Sequence, residues 1–309
     1  MKILLLGANG QLGRSFVEDG RLALSGDLHT ASRDGQRFDG VSIDTADLAA
    51  PGSLESLLDA RRPDVIVNAA AYTAVDRAEQ EEALATRVNG EAVGVIGRWS
   101  AAHDALVMHY STDYVFDGGA RLPYRTDDPT GPLGAYGRSK LAGEQALAAS
   151  GANHLIFRTA WVYAAHGHNF MRTMLRLGGE RDVLNVVADQ FGAPTSTEVI
   201  VEGTLAALAA WKSADVETRE TMRGIHHLVA SGTTTWHGFA EAIFEAAHQR
   251  GLLARVPTVR AIGTAQFPTP ARRPAWSVLS NEDMLTHFGY AAPGWRAALD
   301  RVMDQLEGG

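Results

Sequence analysis

The sequence predicts an α/β protein: one doubly wound parallel sheet, with a smaller mixed α/β lobe folded back on it. Three observations lead there. Continuous apolar runs alternate with helical patterns through the first half of the chain, as strands covered on both faces do. The first run, "ILLL" at 3–6, ends in the glycine-rich turn "GANGQLG". After about residue 165 the alternation weakens and helical patterns dominate. Strands joined by helices run parallel through right-handed crossovers, which gives the doubly wound form.

In chain order, the glycine turn opens a helix near 11–19, and "DLHTASRDG" (27–35) holds the second strand. "DVIVNAA" (64–70) is a strand, followed by one long helical stretch over about 79–102. "ALVMHYS" (105–111) is the next strand; a loop rich in Gly, Pro and Asp leads from it to a helix over about 136–149. "HLIFRTAWVY" (154–163) reads as one more buried strand. Beyond it the periodicity predicts helices at about 168–178, 197–212, 235–250 and 294–307, with a short strand "HHLVA" at 226–230. Thr235 is placed to cap the third of these, and Gly251 to end it. The expected division is a cofactor domain over 1–165, to which a segment near 189–215 returns, and a smaller substrate lobe made mainly of 166–309.

Composition narrows the function. Hydrophobic residues make up 45% and charged residues 21% of the 309, an ordinary globular balance. A net charge of −8 offers no general footprint for nucleic acid or an anionic membrane, so an anionic ligand must be held by a local cluster of donors. The absence of cysteine excludes disulfides, thiolate nucleophiles and cysteine-ligated zinc. The apolar start "ILLL" is too short for a signal peptide, and no apolar run approaches a membrane span. A soluble, cytoplasmic protein is expected.

In "GANGQLG", Gly7, Gly10 and Gly13 fall between the first strand and the first helix. Glycine there lets backbone N–H groups approach a pyrophosphate, and the helix N-terminus adds partial positive charge. A dinucleotide-binding Rossmann domain is the expectation. The cofactor is discriminated at the end of the second strand, where an acid would bind the ribose hydroxyls of NAD and an arginine the 2′-phosphate of NADP. Ser32 and Arg33 stand there, although Asp34 follows. The reading is NADPH, with NADH tolerated.

Tyr136 and Lys140 in "GAYGRSK" lie at i and i+4, on one helix face. A phenol titrates near 10, and a nearby ammonium favours the phenolate, which suits general acid–base work. Ser111 and Thr112 end a central strand, where such sheets place their ligand crevice, and a hydroxyl there can hold a substrate oxygen against the tyrosine.

The glycine loop in its G-x-x-G-x-x-G spacing, "NAAA" (68–71), Asn89 and the Thr112, Tyr136, Lys140 set together resemble the short-chain dehydrogenase/reductase superfamily. Chain length and the mixed second lobe are similar to its extended branch. Within it, "NAAAYTAVDRAE", "HYSTDYVFDG", "FRTAWVY", "NFMRTMLRL", "DQFGAPT", "HLVASGTTTW" and "FPTPARRP" closely resemble the dTDP-4-dehydrorhamnose reductases, over nearly the whole chain. The resemblance implies reduction of the C4 ketone of a dTDP-4-dehydro-6-deoxy sugar by NADPH, without metal. It implies Tyr136 as acid, Lys140 as holder of the nicotinamide ribose and tuner of the tyrosine, Thr112 on the carbonyl, and Asn89 steadying the lysine through water. For the cofactor it implies Gly10, Gln11 and Leu12 at the pyrophosphate and Asp44 and Thr45 near the adenine. Ala69, Ala70, Ala71, Tyr72 and Thr73 line the cleft beyond the strand, with Tyr110 deeper. For the sugar nucleotide it implies Thr112, Asp113 and Trp161.

Arg272 and Arg273, between Pro270 and Pro274, form a rigid guanidinium fork suited to a diphosphate. The histidine pairs "HGH" (166–168) and "HH" (226–227) lack a carboxylate set, so no metal site is expected. Some members of the resembled family are dimers bridged by Mg²⁺ through glutamates; Ser15 stands at one such position, so that metal is not carried over, and a homodimer is left open. Two other readings share this fold. A non-catalytic NADP-binding regulatory subunit of the methionine adenosyltransferase type is opposed by the complete Thr112/Tyr136/Lys140 set. A different nucleotide-sugar reductase or epimerase is the other; an epimerase would want an acid where Ser32 and Arg33 stand.

Overall fold

In the computed structural model of the chain, which describes residues 1–307, the apolar runs form one seven-stranded parallel sheet. Its first six strands are β1 (Lys2–Leu6), β2 (Asp27–Ser32), β3 (Asp44–Thr45), β4 (Val65–Asn68), β5 (Leu106–Thr112) and β6 (Asn153–Thr159). Alternation along each strand feeds two cores. Ile3, Leu5, Val67, Met108 and Phe157 pack on one face, against the helix Thr197–Ser213. Leu4, Leu6, Ile66, Val107 and Ile156 pack on the other, against Pro51–Arg61 and Ala92–His103. Both faces being covered explains why the strands carry unbroken apolar runs.

Beyond β6 come β7 (Val162–Tyr163), β8 (Val183–Val187), β9 (Phe191–Gly192), β10 (Thr195–Ser196), β11 (Gly224–His227), β12 (Thr234–Thr235) and β13 (Thr258–Ile262). The strand expected at 226–230 starts earlier and belongs to the central sheet: β11 pairs with β6, giving the order β11-β6-β5-β4-β1-β2-β3. β8 and β13 pair outside that sheet, and a third core forms around Tyr163, Met174, Leu184, Phe239, Phe244 and Trp295. Thr235 caps the helix Trp236–Gln249, its Oγ1 accepting the Gly238 N–H at 3.1 Å.

Two expected elements are broken, each at a residue that later matters. The single helix over 79–102 is instead Glu82–Thr86, a π-helical turn Arg87–Glu91, and Ala92–His103. Contact with the helix Ala135–Ala149 accounts for the widened turn: a Cβ on Gly143 would lie 2.1 Å from the Asn89 carbonyl oxygen, so the two backbones touch. The strand over 154–163 is interrupted at Trp161, whose φ of +48° ends β6 and turns the chain into β7.

Candidate active site

A cavity of about 960 Å³ opens just past the C-terminal ends of β1, β2, β4, β5 and β6, the crevice of a doubly wound sheet. At one end it is built from backbone. Gly7 has φ +83°, and a Cβ on it would lie 2.7 Å from the Ala70 backbone. A Cβ on Gly13 would fall 2.1 Å from the Gly7 carbonyl oxygen, so the first helix turn seats directly on the loop. The helix Gln11–Asp19 begins at Gly10 without a side-chain cap, and Gly7, Gly10, Gln11 and Leu12 line the cavity. An uncapped N-terminus in a close-fitting glycine cradle is an anion site, and a dinucleotide pyrophosphate fits it. Ser32 and Arg33 line the same cavity, Arg33 with its side chain exposed. Asp34 is turned into its own loop: its Oδ1 accepts from Ser32 Oγ at 2.8 Å and from the Gln36 N–H at 3.3 Å. Asp34 and Arg33 both line the cavity here, the carboxylate partly engaged within its loop and the guanidinium exposed.

The other end is built from side chains, most of them buried and Tyr136 half-buried. Ser111, Thr112, Asp113, Tyr136, Lys140 and Thr159 line it, with Trp161 and Trp236 beyond. Burial pushes the Tyr136 phenol up to about 12, the Asp113 charge adds to this, and the Thr112 hydroxyl works against it. Lys140 is buried, and its Nζ donates to the Tyr110 carbonyl at 2.5 Å. Burial lowers its pKa to about 8, with Glu144 opposing. The lysine was expected to lower the tyrosine's pKa; with Nζ turned to Tyr110, burial dominates and the phenol stays protonated. Asp113 is 2% exposed, and burial raises it to about 7 despite the nearby Ser277 and Thr112 hydroxyls. Thr112 Oγ1 donates to Asp113 Oδ1 at 3.0 Å and accepts the Tyr114 N–H at 3.2 Å.

Most expected cofactor contacts line the cleft: Ala69, Ala70, Ala71, Tyr72, Thr73 and Tyr110 as well as the glycine loop. Asp44 and Thr45 do not. Asp44 is held by Arg61 through two bonds of 2.5 and 2.7 Å, and Thr45 packs under Gly35. The cavity wall there is Ala46, Asp47, Leu48 and Ala49, one to four residues past Thr45. The short edge strand β3 ends at Thr45, and only past it does the chain turn over the crevice. Asn89 clamps rather than reaching the lysine: it accepts the Tyr72 N–H at 2.9 Å and donates to the Tyr72 carbonyl and to Ser139 Oγ, both at 3.0 Å. It therefore ties the cofactor-lining loop to the helix carrying Tyr136.

Arg272 and Arg273 are absent from the cavity lining. Arg273 pairs with Asp76 at 2.9 Å and donates to Thr269 Oγ1 at 2.5 Å, so its charge is already spent in holding the segment against the cleft wall. Arg272 is exposed. Sequence reading missed Asp47 and Leu48, and it missed Trp236, which stacks on Trp161 with ring centroids 3.6 Å apart. The only signal for the first pair was their place just past the short strand β3; for Trp236 there was none, since the contact joins residues 75 positions apart. Among the described residues, no group of three His, Asp or Glu could hold a metal ion, and no helix is long and apolar enough to cross a membrane.

The family model of the RmlD substrate binding domain matches residues 1–307. The chain belongs to this family. Within the RmlD family it is 47% identical over 310 aligned residues, 99% of both chains, to the dTDP-4-dehydrorhamnose reductase of Burkholderia thailandensis. A solved dTDP-4-dehydrorhamnose reductase from Clostridium acetobutylicum superposes with a TM-score of 0.86 at 33% identity, over 99% of this chain and 100% of that one. Another, from Bacillus anthracis in complex with NADP, gives 0.84 at 30% identity, over 98% and 99%. These RmlD relatives are oxidoreductases, and the match leaves no large insertion or missing lobe between them and this chain.

Proposed function

We propose that the protein is an NADPH-dependent dTDP-4-dehydrorhamnose reductase, converting the C4 ketone of dTDP-4-dehydro-6-deoxy-L-mannose to the alcohol of dTDP-L-rhamnose. The observation that carries the reading is the convergence of an uncapped glycine cradle and the Thr112/Tyr136/Lys140 set on one cavity. NADPH, when bound, supplies the hydride for the carbonyl carbon. Tyr136, protonated at neutral pH, gives its proton to the substrate oxygen as negative charge develops there. Thr112 holds that oxygen in line with the phenol when its hydroxyl proton, directed at Asp113 Oδ1 in the free protein, turns to it, and the Tyr114 N–H keeps Oγ1 in place. Lys140 faces the cofactor's ribose, Asn89 keeps the loop Ala71–Thr73 on the cleft wall, and Trp161 and Asp113 face the sugar. Arg33 favours NADPH over NADH.

The division of labour follows the same reading: residues 1–165, together with the returning helix Thr197–Ser213 and β11, hold the cofactor. The remaining C-terminal segments, including Trp236, shape the sugar end. A soluble cytoplasmic enzyme using a nucleotide sugar fits this reading; of the two arginines of "ARRP", the exposed Arg272 is the one left for the outer, diphosphate side of the sugar nucleotide, while Arg273 holds the segment through Asp76.

The test is oxidation of NADPH, and separately NADH, by the purified protein with enzymatically made dTDP-4-dehydro-6-deoxy-L-mannose, followed by nicotinamide absorbance. We expect rapid oxidation, faster with NADPH, and a fall of roughly 10²–10⁴-fold in kcat for Tyr136→Phe with folding intact. Binding of NADPH without turnover would overturn the reading in favour of a regulatory subunit or a different sugar.

A further inference from the structure

His109 has no role in the mechanism above, yet it is completely buried and sits against the lysine. Parallel register sets Asn68 of β4 directly beside it on β5. The local hydrogen bonds then determine which ring nitrogen carries the proton. Asn68 Oδ1 accepts the Ala70 backbone N–H at 3.3 Å, which fixes the orientation of the amide. Its Nδ2 therefore points at His109 Nδ1, 3.1 Å away. An amide NH₂ only donates, so Nδ1 is the bare nitrogen of the ring. Burial is the main cause that keeps the imidazole from taking a second proton, and whatever positive charge Lys140 carries acts in the same direction. Its one proton thus resides on Nε2, and Nε2 lies 3.4 Å from Lys140 Nζ.

A donor aimed at Nζ asks for a lone pair, which an amine has and an ammonium lacks. The Tyr110 carbonyl on the other side asks for an N–H, which both forms have. We infer that His109 is a positioning residue whose Nε2–H faces Lys140 Nζ and disfavours its ammonium form before ligands bind. Burial already lowers Lys140 to about 8, and a donor facing Nζ acts in the same direction. The groups that bear on Nζ are few. Glu144, one turn along the helix, favours the ammonium, but its carboxylate is taken by Arg158 at 2.7 and 3.0 Å. Tyr136 precedes it by one turn, and Asp113 lies across the cavity beside that phenol. The opposite assignment, an ammonium donating to Nε2, would force the amide of Asn68 to flip and turn its NH₂ toward the Ala70 N–H. That leaves a buried donor facing a donor.

The experiment is ¹⁵N NMR of the histidine-labelled, ligand-free protein, with His109 assigned by the spectrum of His109→Gln. The expected result is a neutral ring with bare Nδ1 and protonated Nε2, unchanged between about pH 6 and 9. A ring protonated on Nδ1, or an imidazolium, overturns the inference. This arm involves no turnover, so it stands or falls separately from the proposed activity. The second arm rests on the reading of Lys140 as a catalytic group: in His109→Leu the alkaline limb of kcat/KM should move upward by about one pH unit, because the donor that disfavours the ammonium is gone. An unmoved limb, or one moved downward, counts against it. Should His109→Leu fail to fold, the tautomer of the wild type decides alone.

Discussion

The two ends of the cleft are made of different material. At the glycine loop the working groups are backbone N–H donors, and the side chains there matter chiefly by being absent. At Tyr136 the working groups are buried side chains, and their protonation is set by neighbours drawn from β4, β5 and the helix Ala135–Ala149. The first end depends on shape and is indifferent to pH; the second depends on burial and is sensitive to it. Substitutions can therefore separate them.

The largest separation comes from Gly13→Ala. The added Cβ would meet the Gly7 carbonyl oxygen at 2.1 Å, and backbone on both sides cannot yield as a side-chain tip would. We expect NADPH affinity to fall roughly 100-fold, equivalent to ~2.7 kcal/mol, with about 1–3 kcal/mol lost in stability. Titration by cofactor fluorescence and chemical denaturation would check both, at pH 6 and pH 8. A loss that differed strongly between the two pH values would break the contrast, since the backbone N–H donors of the cradle do not titrate.

The same contrast governs what the sequence could disclose. The cradle is legible because its logic is local: three glycines, a strand before and a helix after, within seven residues. Tyr136 and Lys140 are legible because one helix carries both. What stayed hidden depends on strand register or on distant contacts. Asn68 and His109 are 41 residues apart and meet only because β4 pairs with β5 in one register. The expectation that Lys140 lowers the tyrosine's pKa failed for the same reason, since the Tyr110 carbonyl that captures Nζ lies on another element. Asp44 was placed near the adenine by position along the chain, while Arg61, 17 residues on, draws it away. The helix over 79–102 shows the limit in another way: it stays helical from 82 to 103, but Asn89 and Gly90, poor helix formers, fall in a widened turn where the backbone also meets Gly143 of the neighbouring helix.

Asp113 tests the pH-sensitive end. Its folded pKa, about 7, lies above the ~3.9 of an unfolded aspartate. Between about pH 4 and 7 the folded protein therefore holds more protons than the unfolded one. Stability falls as pH rises through that window and levels off above it. Asp113→Asn removes the ionisation, so it should be more stable than wild type at pH 8, on the order of 2 kcal/mol, with the difference shrinking toward pH 4. Thermal unfolding at several pH values would show it. An equal offset at every pH would mean that the carboxylate is not held protonated in the fold.

The smallest expected effect probes the boundary between the two ends, where Trp161 faces the sugar. Its backbone sits at φ +48°, a conformation that disfavours a bulky residue. It persists because the ring is enclosed: Trp236 stacks on it at 3.6 Å and 7°, and Gly192 is close enough that a Cβ would stand 2.6 Å from the indole. Trp236→Leu removes the stack and leaves the glycine wall. An aromatic pair of this kind contributes roughly 0.5–1.5 kcal/mol beyond its buried area, so KM for the sugar nucleotide should rise about threefold to tenfold. The Kd for NADPH and the pH dependence of kcat should not move, because Trp236 touches neither the cradle nor Lys140. A parallel loss of NADPH affinity would show that the ends are mechanically coupled through Trp161, and the separation argued from their materials would then fail at the sugar side.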